Sequence, residues 1–391
     1  MRAYYKIKIS LFFRILSWIL VMFLIPLQFI LQKQLRSISK HMMIKLQESR
    51  TEDGINFFRL FIHLGSGAFL AGFAPGVFNF LHPKSSATII IFSVLVHYFG
   101  NLLALIFQEP RPFWYSSSIK GELCEKGFGN PCLTVLVFGT LLPIIFIEIF
   151  HSTRLRFIPY MFLVIFMIIA SFNAVYLGEA FPHQVITTLF LSFALVTLYF
   201  SLSRQISGIC FESCYGFKKN RENLIKWIIF VLFAFALINI VQHILYVVPA
   251  DYAKIVSNSL KHCENSYQPN GDRNYKQSLE IFYALGYISG NIRNSKKMTI
   301  YWMITPWWKR IVRFVICSGI NVGIYYVFKA IPTTDFFTTC CLHYAVPYFF
   351  MSFLYTGILP PVFAKCGLAN ALKPDVDSEI ILTKLEDKVV I

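Results

Sequence analysis

Long apolar runs separated by short polar and basic stretches set the pattern of this chain. A helix needs roughly 20 apolar residues to cross a bilayer. Runs of that kind occupy 11–31, 57–80, 86–107, 132–150, 157–177, 184–203, 227–249, 311–330 and 337–360. A tenth segment, 278–292, is shorter and more polar, and is counted because the charge topology fails without it. Backbone groups in lipid must pair within their own segment. The pattern therefore predicts an all-α polytopic membrane protein, a bundle of about nine or ten transmembrane helices.

The polar stretches orient that bundle. With Arg2, Lys6 and Lys8 on the cytoplasmic side, ten spans return the C-terminus to the cytoplasm. The loops with Arg154 and Arg156, with Lys218, Lys219 and Arg221, and with Arg293, Lys296 and Lys297 then fall on the positive, cytoplasmic side. The stretches 108–131, 178–183, 250–277 and 331–336 fall on the other side. One segment breaks the rule: 32–56 carries Lys33, Arg36, Lys40, Lys45 and Arg50 yet follows the first span. Either 11–31 does not span, or 32–56 holds an interfacial amphipathic helix. Leu31-Gln32-Lys33-Gln34-Leu35-Arg36 lacks a small-residue cleavage site, which favours a retained anchor over a signal peptide. Four regions follow: 1–56, an anchor and basic amphipathic segment; 57–205, a helical core; 206–366, C-terminal transmembrane helices; and 367–391, a flexible tail of mixed charge.

Composition agrees with this reading. Charged residues make up 14%, against about 25% in soluble domains. The net charge of +16 lies in short loops between apolar runs, so it reads as membrane topology and excludes nucleic acid as a partner. The nine cysteines form no CxxC pair, so no metal site and no cofactor is expected. Cys210 and Cys214 flank a basic loop and are palmitoylation candidates, against the plainer reading of free interfacial thiols. No Asn-x-Ser/Thr acceptor occurs. His97 and Asn101 share one helix face, and Asn239, Gln242 and His243 cluster in another span; interhelical hydrogen bonding is the favoured reading over a transport pathway.

Three short segments carry candidate chemistry. The first is Ala104-Leu105-Ile106-Phe107-Gln108-Glu109-Pro110-Arg111-Pro112-Phe113-Trp114. The second is Cys124-Glu125-Lys126-Gly127-Phe128-Gly129-Asn130-Pro131-Cys132-Leu133-Thr134. The third runs from Asn173-Ala174-Val175-Tyr176-Leu177-Gly178-Glu179-Ala180 through Phe181-Pro182-His183-Gln184-Val185. Together they resemble the three motifs of the type 2 phosphatidic acid phosphatase and haloperoxidase superfamily, Lys-x6-Arg-Pro, Pro-Ser-Gly-His and Ser-Arg-x5-His. The framework residues, including Tyr176-Leu177 and Phe181-Pro182-His183-Gln184-Val185, are similar to the glucose-6-phosphatase-like branch.

In that family a lysine and two arginines hold the phosphoryl oxygens, one histidine attacks phosphorus and another protonates the leaving oxygen. Fixed cations stabilise the dispersed phosphoryl charge, and imidazole serves both as nucleophile and as acid near neutral pH. On the matching positions this chain has Ala104 for the lysine, Ala174 for the second arginine, Thr134 for the acid histidine and Ala180 for the nucleophile. Cys132 and Leu133 stand for Ser-Gly. Arg111 is the one retained phosphate ligand, with interfacial anchoring against Glu109 or Glu122 as its plainer role. His183 is the candidate substitute nucleophile, against a packing role in the framework.

The resemblance implies a catalytically inactive, glucose-6-phosphatase-like integral membrane protein that keeps binding to a phosphorylated lipid or sugar, or to a protein partner, beside its bilayer contact. It also implies the endoplasmic reticulum or another endomembrane, with the degenerate site facing the lumen. One alternative is a divergent active phosphatase acting on a lipid phosphate or a hexose phosphate such as glucose 6-phosphate. Another is a transporter or scramblase-like use of the bundle. The segments around Arg111, 130–134 and 173–180 are expected to meet at one membrane face.

Overall fold

The computed structural model describes residues 11–59, 67–81, 83–122, 124–150, 157–215, 220–245, 251–263, 272–295, 299–301 and 305–372. Cys210 and Cys214 lie in helical backbone, but their side chains fall outside the described residues.

The molecule is an all-α polytopic bundle. Among the described residues seven helical segments are long and apolar enough to cross a membrane: Ser85–Tyr115, Leu133–Phe150, Phe157–Tyr176, Pro182–Ser201, Glu222–Ile244, Trp307–Lys329 and Phe336–Lys365. Of the expected span 57–80, residues 60–66 lie outside the described residues; α2 (Glu52–Arg59) reaches into its start and α3 (Gly67–Phe80) forms its end. The expected span 278–292 corresponds to α12 (Ile281–Ser295), preceded by the short α11 (Asp272–Ser278) with a break at Leu279 and Glu280.

The basic segment after residue 31 is no separate interfacial element. α1 runs unbroken from Leu11 to Glu48, passing Pro26. At 1.5 Å per residue its 38 residues extend about 57 Å, well beyond a hydrocarbon core of about 30 Å. The outer half buries Ser39 and Met43 while Ile38 and Met42 stay exposed. It lies along α8 (Pro182–Tyr215).

α4 (Pro83–Phe107) forms the centre. It is wrapped by α3, α6 (Leu133–Phe150), α8 and α11, and its Ile89, Ile90, Val94 and Leu105 are fully buried. α7 (Phe157–Tyr176) is peripheral and turns Phe162, Ile165 and Ile168 outward, as a lipid-facing helix must. After α9 (Asn220–Ile240) the chain makes a π turn at Val241–Leu245 and then forms α10 (Tyr252–Leu260).

α13 (Trp307–Lys329) packs on α3. The last span is α14 (Phe336–Cys340), α15 (Val346–Phe353) and α16 (Leu359–Lys365), joined by π turns at Cys341–Ala345 and Leu354–Ile358. Each π turn precedes a proline, Pro347 or Pro360, which lacks the N–H needed for regular helix pairing. α12 and the π turn at Leu354–Ile358 approach closely because Gly290 and Gly357 carry no side chain; a Cβ on Gly290 would overlap the Thr356 hydroxyl. A short antiparallel pair, β1 (Thr299–Tyr301) with β2 (Asn370–Leu372), closes one end.

Candidate functional site

The first motif lies where α4 ends. Gln108 takes φ 49° and turns the chain out of the helix. Glu109, Pro110 and Arg111 then lead into α5, a single turn at Pro112–Tyr115. Arg111 is 7% exposed. Its Nε donates to the Gly127 carbonyl at 2.6 Å and its Nη1 to the Glu179 carbonyl at 3.0 Å. The three motif segments therefore converge on this one guanidinium.

The third motif is shaped by the end of α7. The Ala174 carbonyl accepts from both Glu179 N (2.9 Å) and Ala180 N (3.1 Å). Gly178 sits between them at φ +77°, where a Cβ would press on the Lys120 carbonyl, so only glycine fits. This cap aims the Glu179 side chain inward. Thr134 Oγ1, on the first turn of α6, donates to Glu179 Oε1 at 3.0 Å, and Arg111 Nη1 lies 4.0 Å from the same oxygen. Burial pushes the Glu179 carboxyl up, and Arg111 pulls it back in part.

Ala174 and Ala180 are fully buried beside Cys132, Val135 and Val185. Thr134 and Arg111 join them through Glu179. Ala104 lies apart from that apolar group, in the main core around α4.

A second polar cluster adjoins the first. Glu109 is 1% exposed. It accepts from Asn130 Nδ2 at 2.9 Å and meets His183 Nε2 at 2.9 Å and Arg36 Nε at 3.4 Å. His183 Nδ1 lies 2.8 Å from Ser39 Oγ, and the ring stacks on Phe181. Both ring nitrogens of His183 are thus engaged. Gln184 braces the same turn: its Oε1 accepts from Phe181 N at 2.9 Å and its Nε2 donates to Pro110 O at 3.2 Å.

The anchoring expected of Arg111 takes a different form. Arg111 turns to Glu179, while Glu109 faces His183 and Glu122 pairs with Arg50 (3.5 Å) and Arg59 (3.1 Å). Gln108 turns the backbone and sends adjacent side chains to opposite clusters.

Sequence reasoning missed three contributors. Glu179 sits at a spacer position of the motif, and nothing in its local sequence sets it apart except its place between Ala174 and Ala180. α1 supplies Arg36 and Ser39, and Gln47, whose amide pairs with both backbone groups of Lys120 (3.0 and 2.9 Å). Cys124 and Cys263 form a disulfide across 139 residues, joining the second-motif loop to the segment after α10. Among the described residues, no three His, Cys, Asp or Glu side chains are placed to hold a metal ion.

Residues 86–207 match the PAP2 superfamily, and residues 283–371 match the PAP2 superfamily phosphatase transmembrane extension. Comparison with curated proteins and with solved structures finds no match. The first region contains all three motif segments and the second contains α12 to α16, so the chain is an integral membrane protein carrying a PAP2 superfamily domain followed by the transmembrane extension of PAP2 superfamily phosphatases.

Proposed function

We propose that this chain is a catalytically inactive member of the PAP2 superfamily, similar to its glucose-6-phosphatase-like branch, in which the phosphate position is taken by the chain's own carboxylate. The observation that carries this reading is Glu179. Its Oε1 accepts from Thr134 and lies 4.0 Å from Arg111. These are the one retained phosphate ligand and the residue that replaces the acid histidine.

The second phosphate-holding arginine and the nucleophile are replaced by Ala174 and Ala180, both fully buried among apolar side chains. His183, the candidate substitute nucleophile, has one ring nitrogen on Glu109 and the other on Ser39. A nucleophile needs a free lone pair directed at the substrate, and neither nitrogen offers one. Loss of a single catalytic group commonly removes about four to six orders of magnitude of rate. What remains is a membrane bundle whose role is binding, either of a partner protein or of a phosphorylated lipid or sugar that displaces Glu179.

The disulfide supports an orientation. Cys124 and Cys263 lie on the face that carries the motif loops, and disulfides persist in oxidising compartments. The proposal turns this face toward the lumen of the endoplasmic reticulum or another endomembrane.

The test is phosphate release from a broad phosphomonoester panel, including glucose 6-phosphate and phosphatidic acid, by the purified full chain. No turnover above a protein-free control is expected. Turnover that disappears in His183→Ala would overturn the reading and establish a divergent active phosphatase.

A further inference from the structure

The bundle buries a second set of ionisable side chains, away from the motif cluster. His97 lies within α4 and is 0% exposed, and Glu280 occupies the break between α11 and α12 and is 1% exposed. His97 Nδ1 approaches Glu280 Oε2 to 3.0 Å, without the alignment of a hydrogen bond, and His97 Nε2 has no hydrogen-bond partner among the described residues. Tyr348 Oη, on α15, donates to Glu280 Oε1 at 3.2 Å. Through Tyr348 the pair links α4, in the PAP2 superfamily domain, to α15, in the extension.

Other ionisable groups surround it. Tyr325 on α13 and Tyr344 on the π turn at 341–345 are within electrostatic reach of Glu280. Both also feel Arg273 on α11, which is paired with Glu125. One turn further along α12, Tyr283 Oη donates to Tyr355 Oη at 3.1 Å. His243, on the π turn packed against α4, is exposed, and Glu148 of α6 binds Ser85 and Tyr199 at the other end of α4.

A chain of amide hydrogen bonds runs from the His97 backbone carbonyl to the motif loops. Asn101 Nδ2 donates to the His97 carbonyl at 2.9 Å, and Asn274 Nδ2 donates to Asn101 Oδ1 at 3.1 Å. Asn274 Oδ1 in turn accepts from Phe128 N at 2.8 Å, beside the Gly127 carbonyl that holds Arg111.

We propose that His97 and Glu280 form a proton-binding site inside the bundle. In a low-dielectric interior an imidazole and a carboxyl in contact are least costly as a neutral unit, which holds one proton. That unit is either imidazolium with carboxylate or imidazole with carboxylic acid. A second proton, taken from solvent, adds to the carboxylate of the imidazolium form and leaves a net charge of +1. The pair then no longer attracts, and the contact between α4 and the start of α12 weakens. Discontinuous helices in membranes recurrently place ion-binding groups at the break, and Glu280 occupies such a position.

The test uses the full chain reconstituted in phosphatidylcholine vesicles. Infrared difference spectra are recorded from about pH 4 to 9, a range that spans the ordinary carboxyl and imidazole values. A protonated-carboxyl band that titrates in the wild type should vanish in Glu280→Gln. In Tyr348→Phe, which loses only one hydroxyl, the band should rise at a higher pH because a donor to the ionised form is gone. Wild-type and Glu280→Gln spectra that superimpose across the range would overturn the proposal. If Glu280→Gln does not fold, a band in Tyr348→Phe that titrates at the wild-type pH would overturn it equally. Phosphatase activity does not enter these readouts, so this proposal and the functional one fail separately.

Discussion

A carboxylate held by Thr134 and facing Arg111 is the residue on which the site reading turns. Burial raises the Glu179 carboxyl above its ordinary value of 4.5. The sign follows directly. The folded protein holds this proton more tightly than the unfolded chain, so the group lowers stability once pH exceeds its folded value. That cost disappears as pH falls below about 4.5, where both states are protonated. The stability of Glu179→Gln relative to the wild type should therefore improve as pH rises from about 4.5 to 8, and melting curves of the two proteins across pH should show that trend fading under acid. Little of this was readable in the sequence. Ala104, Thr134, Ala174, Ala180 and Arg111 could be singled out because each falls at a fixed spacing of the motifs that the chain resembles. Glu179 was not, because a motif marks which positions vary but not where a varying side chain points. His183 shows the same limit: its sequence position fitted a substitute nucleophile, and only Ser39 and Glu109, 144 and 74 residues away, show that its nitrogens are engaged.

At the scale of elements, apolar runs marked most helices and misplaced some of their ends. The segment 278–292 carries no helix breaker at its start, yet α11 ends at Ser278 and α12 begins at Ile281. α1 was the opposite case: the change from apolar to basic at residue 31 suggested a boundary, yet nothing between Leu31 and Glu48 stops a helix, and none occurs. The contact of α12 with the π turn at Leu354–Ile358 rests on small residues. A Cβ on Gly290 would overlap the Thr356 hydroxyl and come within 2.9 Å of Gly357 N. Gly290→Val should cost about 1–3 kcal/mol by overpacking, whereas Gly323→Val on α13, where a Cβ meets nothing within 4 Å, should cost much less. Thermal unfolding of the two variants in one detergent compares them directly.

Across the whole molecule, the class and membrane character were legible from composition and periodicity, while the long-range ties were not. No local signal pairs Cys124 with Cys263, because cysteine spacing in a chain of nine allows many partners. The disulfide gives a direct test of orientation. In sealed endoplasmic-reticulum vesicles, a membrane-impermeant phosphine reductant should leave Cys124–Cys263 intact, and should cleave it once detergent opens the membrane. Cleavage in sealed vesicles would put the motif face on the cytoplasmic side and reverse the proposed topology.

The Gly178 turn has one more consequence. It fixes Glu179 at the end of a helix cap, so the carboxylate facing Arg111 is an attached group rather than a solute. An attached group competes at an effective concentration set by its tether, which for short linkers is in the millimolar range or above and does not fall on dilution. Free phosphate, vanadate or a sugar phosphate must outcompete a ligand that never diffuses away. Occupancy of the Arg111 position is then set by the tether until a free anion reaches a comparable concentration, so a regulator of this protein would gain more by moving the α7–α8 turn than by a modest rise in concentration.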